Sequence, residues 1–397
     1  MADNVLVKMS ESNPTELILS IVGRLDSSNA AAVETDLLAG QADHPHKSLV
    51  VDLSDLEYIS SAGLRVILKL RKAEKDMTLE NVSPDVYDVF EMTGFTEMIP
   101  THKAYRVMSV DGCEIIGKGA NGAVYRIDPE TIIKVYLNPD SLPDILRERE
   151  LARRAFVLGI PTAISYDVVR VGEGFGSVFE LLNADSFLQM VIKDPSKVDA
   201  LTDMSVELLK RIHATTVRPE DMPDIKPYAL SWTQTVAPYL TGAEAVKLVS
   251  LMATVKDSNQ MIHGDYHWKN IMMQNGEAIL IDMDTLSHGN PIFEFAAIYN
   301  AYQGFSAIDH DVVKHFLGID YETATHIWKR TLSLYFDQAD EKELEEIEKK
   351  VQIVSYTRLL RRTVLKGTDN GTLVEETIAF YKEHLGKLLL EVNDLSL

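Results

Sequence analysis

The narrowest choice of fold is imposed by residues 261–284. Asp265 and Asn270 stand five positions apart in Met261-Ile262-His263-Gly264-Asp265-Tyr266-His267-Trp268-Lys269-Asn270, and the apolar run Ala278-Ile279-Leu280-Ile281 ends in Asp282. A short apolar run of this kind reads as a buried strand. The order Asp, Asn, strand, Asp suits phosphoryl transfer. The first Asp accepts or orients a hydroxyl, while Asn and the later Asp hold Mg²⁺ against phosphates. Asp265 is therefore the candidate catalytic base, and Asn270 and Asp282 are the candidate metal ligands. His263 and His267 flank Asp265 and raise a zinc site, but the segment has no helical context and no obvious third ligand. Orientation of the loop by His263 through hydrogen bonds is the preferred reading.

Upstream, Gly117-Lys118-Gly119-Ala120-Asn121-Gly122-Ala123-Val124 fits G-x-G-x-x-G-x-V. Such a loop lets backbone N–H groups approach phosphate oxygens, although glycine-rich hairpins are also ordinary turns. Strand-like Glu114-Ile115-Ile116 and Val124-Tyr125-Arg126 flank it. A dinucleotide fingerprint would instead open a helix, so a phosphate-covering hairpin is expected, with Gly117, Gly119 and Gly122 in the cofactor-binding set. A turn at Asp128-Pro129-Glu130 leads to a further strand, Thr131–Tyr136, whose one basic residue is Lys134. An unpaired ammonium in an apolar strand is expensive. Lys134 either snorkels from an edge strand or bridges phosphates and a helix glutamate. On the helix expected over Asp144–Val157, Glu148 shares a face with Ile145, Ala152 and Ala155, and Glu150 points roughly opposite. Glu148 is the candidate partner, against the alternative of a solvated surface charge. Glu180, near the end of the same β-rich stretch, completes the cofactor-binding set.

The texture of the chain changes near residue 105. Before it, strand candidates Val5–Met9, Glu16–Val22, Ser48–Leu53 and Met77–Glu80 alternate with helix candidates Ser28–Ala39, Ser61–Ala73 and Asp85–Thr93, an α/β sandwich of ordinary domain size. From Tyr105 to Leu182 paired strands surround one helix. Beyond Asp185 the chain is mainly helical, with apolar stripes over Ser186–Val191, Val198–Ala214, Trp232–Val255, Tyr321–Phe336, Glu341–Arg362 and Leu373–Val392. The expected domains are 1–105 and 106–397, the second divided into a β-rich lobe over 106–182 and a helical lobe over 183–397. A cleft between such lobes is where a ligand is expected. The 397-residue chain, 46% hydrophobic and 25% charged, is long enough for two or three domains. Its net charge of −21 argues against nonspecific nucleic-acid or anionic-membrane binding. There is no run long enough for a membrane span and no signal-peptide pattern at the start. The single Cys113 excludes an intramolecular disulfide, which suits a cytoplasmic location, and is expected to be a small buried filler rather than a reactive thiol.

His263-Gly264-Asp265 with Asn270 and Asp282 resembles the aminoglycoside phosphotransferase and choline kinase group of protein-kinase-like enzymes. Arg147-Glu148 through Gly159-Ile160-Pro161, and Gly289-Asn290-Pro291 with Glu294, extend the resemblance over about 106–390. It implies an α+β bilobal kinase-like domain using ATP and Mg²⁺. Departures from protein kinases matter. Gly264 replaces the arginine that would read a phosphorylated activation loop, Asp282-Met283-Asp284 replaces Asp-Phe-Gly, and no Ala-Pro-Glu segment follows. A small-molecule hydroxyl is thus a better acceptor than a protein chain. Asp284 is either a further metal or water ligand or a structural acceptor.

Gly23-Arg24-Leu25-Asp26, Val50–Leu64 and Leu79–Ser83 resemble a STAS domain, the fold of anti-sigma-factor antagonists. In that family the serine before the small-Gly-Leu triplet is the phosphoacceptor, here Ser61. Many members carry Asp just before it, where this chain has Ser60. A helix N-terminus favours a phosphate, and equally favours a capping serine at 60 or 61.

These readings lead to an ATP- and Mg²⁺-dependent kinase acting on an unidentified small-molecule hydroxyl, with the STAS domain as a docking or regulatory module for a protein partner. The alternatives are a protein serine kinase, with Ser61 or a partner's STAS serine as acceptor, and a non-catalytic partner-switching regulator that binds nucleotide without turnover.

Overall fold

The computed structural model describes residues 4–10, 13–119, 121–182, 184–367 and 374–397. Ala120 of the glycine-rich stretch and Leu373, expected to open the last helix, lie outside the described residues. The chain forms two compact units, Met1–Ser109 with Val169–Glu173, and Val110–Val168 with Gly174–Leu397.

The first unit runs β1 (Val5–Met9), β2 (Glu16–Ile21), β3 (Gly23–Leu25), α1 (Ala30–Asp43), β4 (Ser48–Asp52), β5 (Leu56–Ile59), α2 (Ser61–Ala73), β6 (Met77–Val82), α3 (Pro84–Met92), α4 (Phe95–Met98) and β7 (Thr101–Lys103). Its main sheet has the order β1-β2-β4-β6-β7. β1 is antiparallel to β2, and the remaining pairs are parallel. Alternate residues Leu17, Leu19 and Ile21 of β2 and Leu49 and Val51 of β4 enter the core, as a two-residue side-chain period requires. Ile67 and Leu70 of α2 are buried in it, and Leu64 and Leu68 pack at its margin. The short strands β3 and β5 and the one-turn helix α4 carry too few residues for a period to show in the sequence.

The second unit begins with β8 (Glu114–Lys118), β9 (Gly122–Arg126), β10 (Thr131–Tyr136) and α5 (Leu142–Val157) and resumes with β12 (Gly174–Glu180), while β11 (Asp167–Val171) has its last three residues in the first unit. Strands β12, β10, β9 and β8 lie in that order, each antiparallel to the next. Cys113, ahead of β8, is only part-buried. The expected buried filler is thereby corrected: the residue sits in a turn outside any core.

The rest is helical around small hairpins: β13 (Asp185–Ser186), α6 (Phe187–Lys193), α7 (Val198–Ala214), α8 (Ile225–Val236), α9 (Gly242–Thr254), β14 (Met261–Ile262), β15 (Ile271–Gln274), β16 (Glu277–Leu280), β17 (Ser287–His288), α10 (Ile292–Tyr302), α11 (Asp311–Leu317), α12 (Tyr321–Tyr335), α13 (Glu341–Lys366) and α14 (Val374–Glu391). The single helix expected over Trp232–Val255 is two. Ala237-Pro238-Tyr239 forms a tight turn, and Thr241 starts α9 with a capping box, accepting from the Glu244 N–H while Glu244 reaches back to the Thr241 N–H. α10 has no apolar stripe in the sequence because all its residues are buried, so its whole circumference is core. α13 packs against α8, α10 and α14. Among the described residues no helix is long and apolar enough to cross a membrane.

Candidate active site

Lys134 lies opposite Val124 of β9 and Ser177 of β12, inside the sheet rather than on an edge. It therefore cannot snorkel sideways and has to be paired. Its Nζ donates to Glu148 Oε1 at 3.1 Å and to Asp282 Oδ1 at 2.7 Å. Burial would lower the lysine pKa, but the Asp282 and Glu148 charges outweigh it and hold the value above the ordinary range. Glu148 is 7% exposed and shares the buried face of α5 with Ile145, Leu151, Ala152 and Ala155. Glu150 stays at the surface, bound to Arg153 at 2.9 Å and Arg154 at 2.6 Å, its carboxyl lowered to about 2 chiefly by the Arg153 hydrogen bond. Tyr136, two positions beyond Lys134 and so on the same sheet face, donates to Glu148 Oε2 at 2.7 Å. The sequence reading passed over Tyr136, although the period of the strand could have found it.

Gly117 is in β8, Gly119 follows that strand and Gly122 opens β9. The turn is closed by the Gly119 N–H donating to the Gly122 carbonyl at 2.9 Å. A Cβ at Gly122 would overlap the Val135 carbonyl, so the turn presses against β10 only because that position lacks a side chain. Glu180 ends β12 opposite Thr131 and is exposed, with no side-chain hydrogen bond or ion pair among the described residues. The structure does not bring it into the Lys134 cluster.

The loop after β14 is held from beneath. Glu294 of α10, fully buried, accepts from the backbone N–H of His263 at 2.5 Å and of Gly264 at 2.9 Å. Gly264 has φ +83°, and a Cβ there would stand 2.8 Å from the Thr285 carbonyl oxygen. A glycine is needed at this position for backbone reasons alone. His263 Nδ1 accepts from the Asp265 N–H at 3.3 Å. His267 Nε2 lies 3.4 Å from Asp265 Oδ2. Among the described residues no three His, Cys, Asp or Glu side chains gather as a metal-ligand group. Burial pushes the Asp265 carboxyl up, but the His267 hydrogen bond and the charges of His267, His263 and Arg358 bring it down to about 2. It is a carboxylate at neutral pH, and its side chain is 44% exposed.

Asn270 donates through Nδ2 to the Asp265 carbonyl at 3.0 Å and to its Oδ2 at 3.3 Å. It is joined to Asp282 by a hairpin. β15 starts just after Asn270, β16 stops just short of Ile281 and Asp282, and Ile271 pairs with Leu280. The turn is Asn275 (φ +52°) and Gly276 (φ +83°), positive at both central residues, as a two-residue hairpin of type I′ demands. The Ile281 N–H then donates to the Asn270 carbonyl at 3.0 Å. Asp282 itself has φ +63°, a left-handed conformation seldom adopted by residues other than glycine. The carboxyl of Asp284 is pushed up to about 7 by burial and by the charges of Asp282 and Glu148. Arg358 of α13, another residue absent from the sequence reading, donates to the Gly264 carbonyl at 3.4 Å.

In the first unit, Ser60 caps α2 by accepting from the Ala62 N–H at 3.2 Å and the Gly63 N–H at 3.4 Å. Ser61 follows it, exposed, as the first helical residue.

A family model for the STAS domain matches residues 7–107, and one described as the phosphotransferase enzyme family matches residues 112–325. BtrV of Bordetella bronchiseptica, a protein assigned as an anti-sigma factor antagonist, is 41% identical over 88 residues, covering 21% of this chain and 75% of BtrV. Among solved structures, the ADP-bound aminoglycoside phosphotransferase APH(2'')-Ib is 13% identical with a TM-score of 0.47, covering 76% of this chain and 98% of its own. The amicoumacin kinase hAmiN is 14% identical with a TM-score of 0.47, covering 76% of this chain and 93% of its own. An anti-sigma factor antagonist from Mycobacterium paratuberculosis is 25% identical with a TM-score of 0.22, covering 25% of this chain and 83% of its own.

Proposed function

Since this chain belongs to the phosphotransferase enzyme family and carries a STAS domain ahead of it, we propose that it transfers the γ-phosphoryl group of ATP to a small-molecule hydroxyl, with the STAS domain as its docking or regulatory module. The observation that carries this reading is Lys134, which ties Glu148 of one lobe to Asp282 of the other at 3.1 and 2.7 Å. Lys134 offers a fixed positive charge to phosphate oxygens. Glu148, held in turn by Tyr136, keeps that charge in place. The glycine turn lies over the same strand and can approach phosphates with its backbone. Asp265, ionised at neutral pH and half-exposed, accepts the proton of the attacking hydroxyl and orients it. Asn270 fixes Asp265 by its own hydrogen bonds.

Asn270 and Asp282 are the residues that would hold Mg²⁺. The site fits such an ion. Burial, with the neighbouring charges of Asp282 and Glu148, pushes Asp284 up to about 7, and a divalent cation would relieve the repulsion among these carboxylates. Mg²⁺ characteristically takes only one or two protein carboxylates and completes its shell with phosphates and water. When bound, the ion would offset the charge on the phosphate oxygens.

One observation supports a second reading in which a STAS serine is the acceptor: Ser60 does the capping, so the Ser61 hydroxyl is exposed and free of that duty. Both readings are tested with ADP release as the readout. Asp265→Asn and Asp282→Ala, each checked for folding by its thermal transition, are expected to lower turnover at least about a hundredfold. Either variant retaining wild-type turnover overturns the assignment of the site. Mass analysis after incubation with MgATP alone separates the acceptors, since phosphate on Ser61 supports the second reading.

A further inference from the structure

The carboxy-terminal half of α13 is out of character with the chain. Residues 351–367 contain Arg358, Arg361, Arg362 and Lys366 and no acidic residue, in a protein of net charge −21. Complementing the helix dipole accounts for Lys366 in the last turn. It does not account for Arg358, which lies about two turns further in. Arg358 is part-buried, and its one hydrogen bond among the described residues goes to the Gly264 carbonyl at 3.4 Å, beside Asp265. Its guanidinium carbon is 5.8 Å from the ring centroid of Trp232 on α8, and that of Arg361 is 5.3 Å from the ring of Tyr228 on the same helix. Among the described residues neither arginine has a carboxylate within 4.0 Å.

Two guanidinium groups close enough to repel, neither in a direct ion pair among the described residues, are costly to hold in a part-buried place, and the Asp265 and Glu294 carboxylates act on Arg358 only from beyond ion-pair distance. Burial keeps the Arg358 pKa below its ordinary value against the opposing charges of Asp265 and Glu294, and the Arg361 charge adds a little to the lowering. Positioning the catalytic loop uses one of the five N–H donors of Arg358 and none of Arg361's. Trp232, 2% exposed, adds an indole N–H with no acceptor among the described residues. Planar donor forks backed by aromatic rings suit carboxylate or phosphate oxygens, and a cationic acceptor would be repelled there.

We infer that the phosphoryl acceptor is an anionic hydroxyl compound, its carboxylate or phosphate held by Arg358 and Arg361 against the α8 rings while its hydroxyl faces Asp265. The inference rests on the phosphotransferase reading and specifies its substrate class. The test is calorimetric titration of inorganic phosphate, and separately of malonate, into the full chain saturated with Mg²⁺ and AMP-PNP, so that the nucleotide's own phosphate positions are filled. Saturable binding of phosphate identifies a phosphate-bearing acceptor, and of malonate a carboxylate-bearing one. Arg361→Gln, a half-buried position that leaves the loop contact intact, is expected to weaken that binding about tenfold or more with AMP-PNP affinity unchanged. Arg361→Lys should recover part of it. Absence of binding by both anions, or equal affinity in Arg361→Gln, overturns the inference while leaving the phosphotransferase reading standing. Failure of AMP-PNP itself to bind defeats that reading and this inference with it.

Discussion

Lys134 is shared between Glu148 and Asp282, so its removal and the removal of Glu148 break the same cluster. Lys134→Ala and Glu148→Ala are each expected to lower turnover about a hundredfold. The double variant should lose much less than the product of the two, because contacting residues are not additive. Additive losses in the cycle would mean that Glu148 acts independently of the lysine. Asp284 gives a test by pH. Its carboxyl titrates near 7 in the folded chain against an ordinary value of 3.8, so the folded state holds a proton that the unfolded state has lost between those values. The ionised group therefore destabilises the fold fully above pH 7, and the penalty shrinks as pH falls toward 4. In metal-free solution Asp284→Asn should stabilise the protein more at pH 8 than at pH 5, by about 1–2 kcal/mol after allowing for solvent screening. Denaturant midpoints at the two pH values check this, and an equal effect at both would show an ordinary carboxyl. Mg²⁺ with ADP should flatten the difference.

At the scale of elements, the loop bearing Asp265 depends on α10. Glu294→Ala leaves the backbone N–H groups of His263 and Gly264 buried without an acceptor, at a cost of about 2–4 kcal/mol. Glu294→Gln keeps one acceptor oxygen and should fall between. A thermal transition unmoved in Glu294→Ala would show that the loop is held by other means. The sequence marked this glutamate only through a resemblance, because its helix has no polar face to set a charged residue off. The hairpin that joins Asn270 to Asp282 was open to reading, since Asn275-Gly276 between two apolar runs is a strong turn signal. The apolar run Ala278–Ile281 marks the strand and locates Asp282 but gives no reason for its closeness to Asn270. Pro238 and the Thr241–Glu244 capping box likewise mark the break between α8 and α9, overridden by an apolar stripe that runs through both.

For the molecule as a whole, we propose that the chain divides at 105/106, close to the first unit's end at Ser109, and that this division also divides labour. Every residue of the Lys134, Asp265 and Asp282 clusters belongs to the second unit. An expressed 106–397 fragment should fold cooperatively and bind MgATP with the affinity of the full chain, within about threefold, and Ser61→Asp in the full chain should leave that affinity unchanged. A folded fragment that has lost nucleotide binding would show that the first unit helps to build the site. The sequence by itself determined the things written in local order: the α/β alternation of the first unit, the span Ser61–Ala73 of α2, the glycine-bearing hairpin, and the choice of Glu148 over Glu150 by helical phase. These follow from periods of two and 3.6 residues that any stretch of chain displays unaided. Only the tertiary structure decided that Lys134 lies inside its sheet and reaches Asp282, 148 positions away. It alone put Tyr136 on Glu148, Glu294 beneath the loop, and Arg358 beside Gly264. Those pairings depend on which elements pack together, and no local period records the partner on which a buried charge settles.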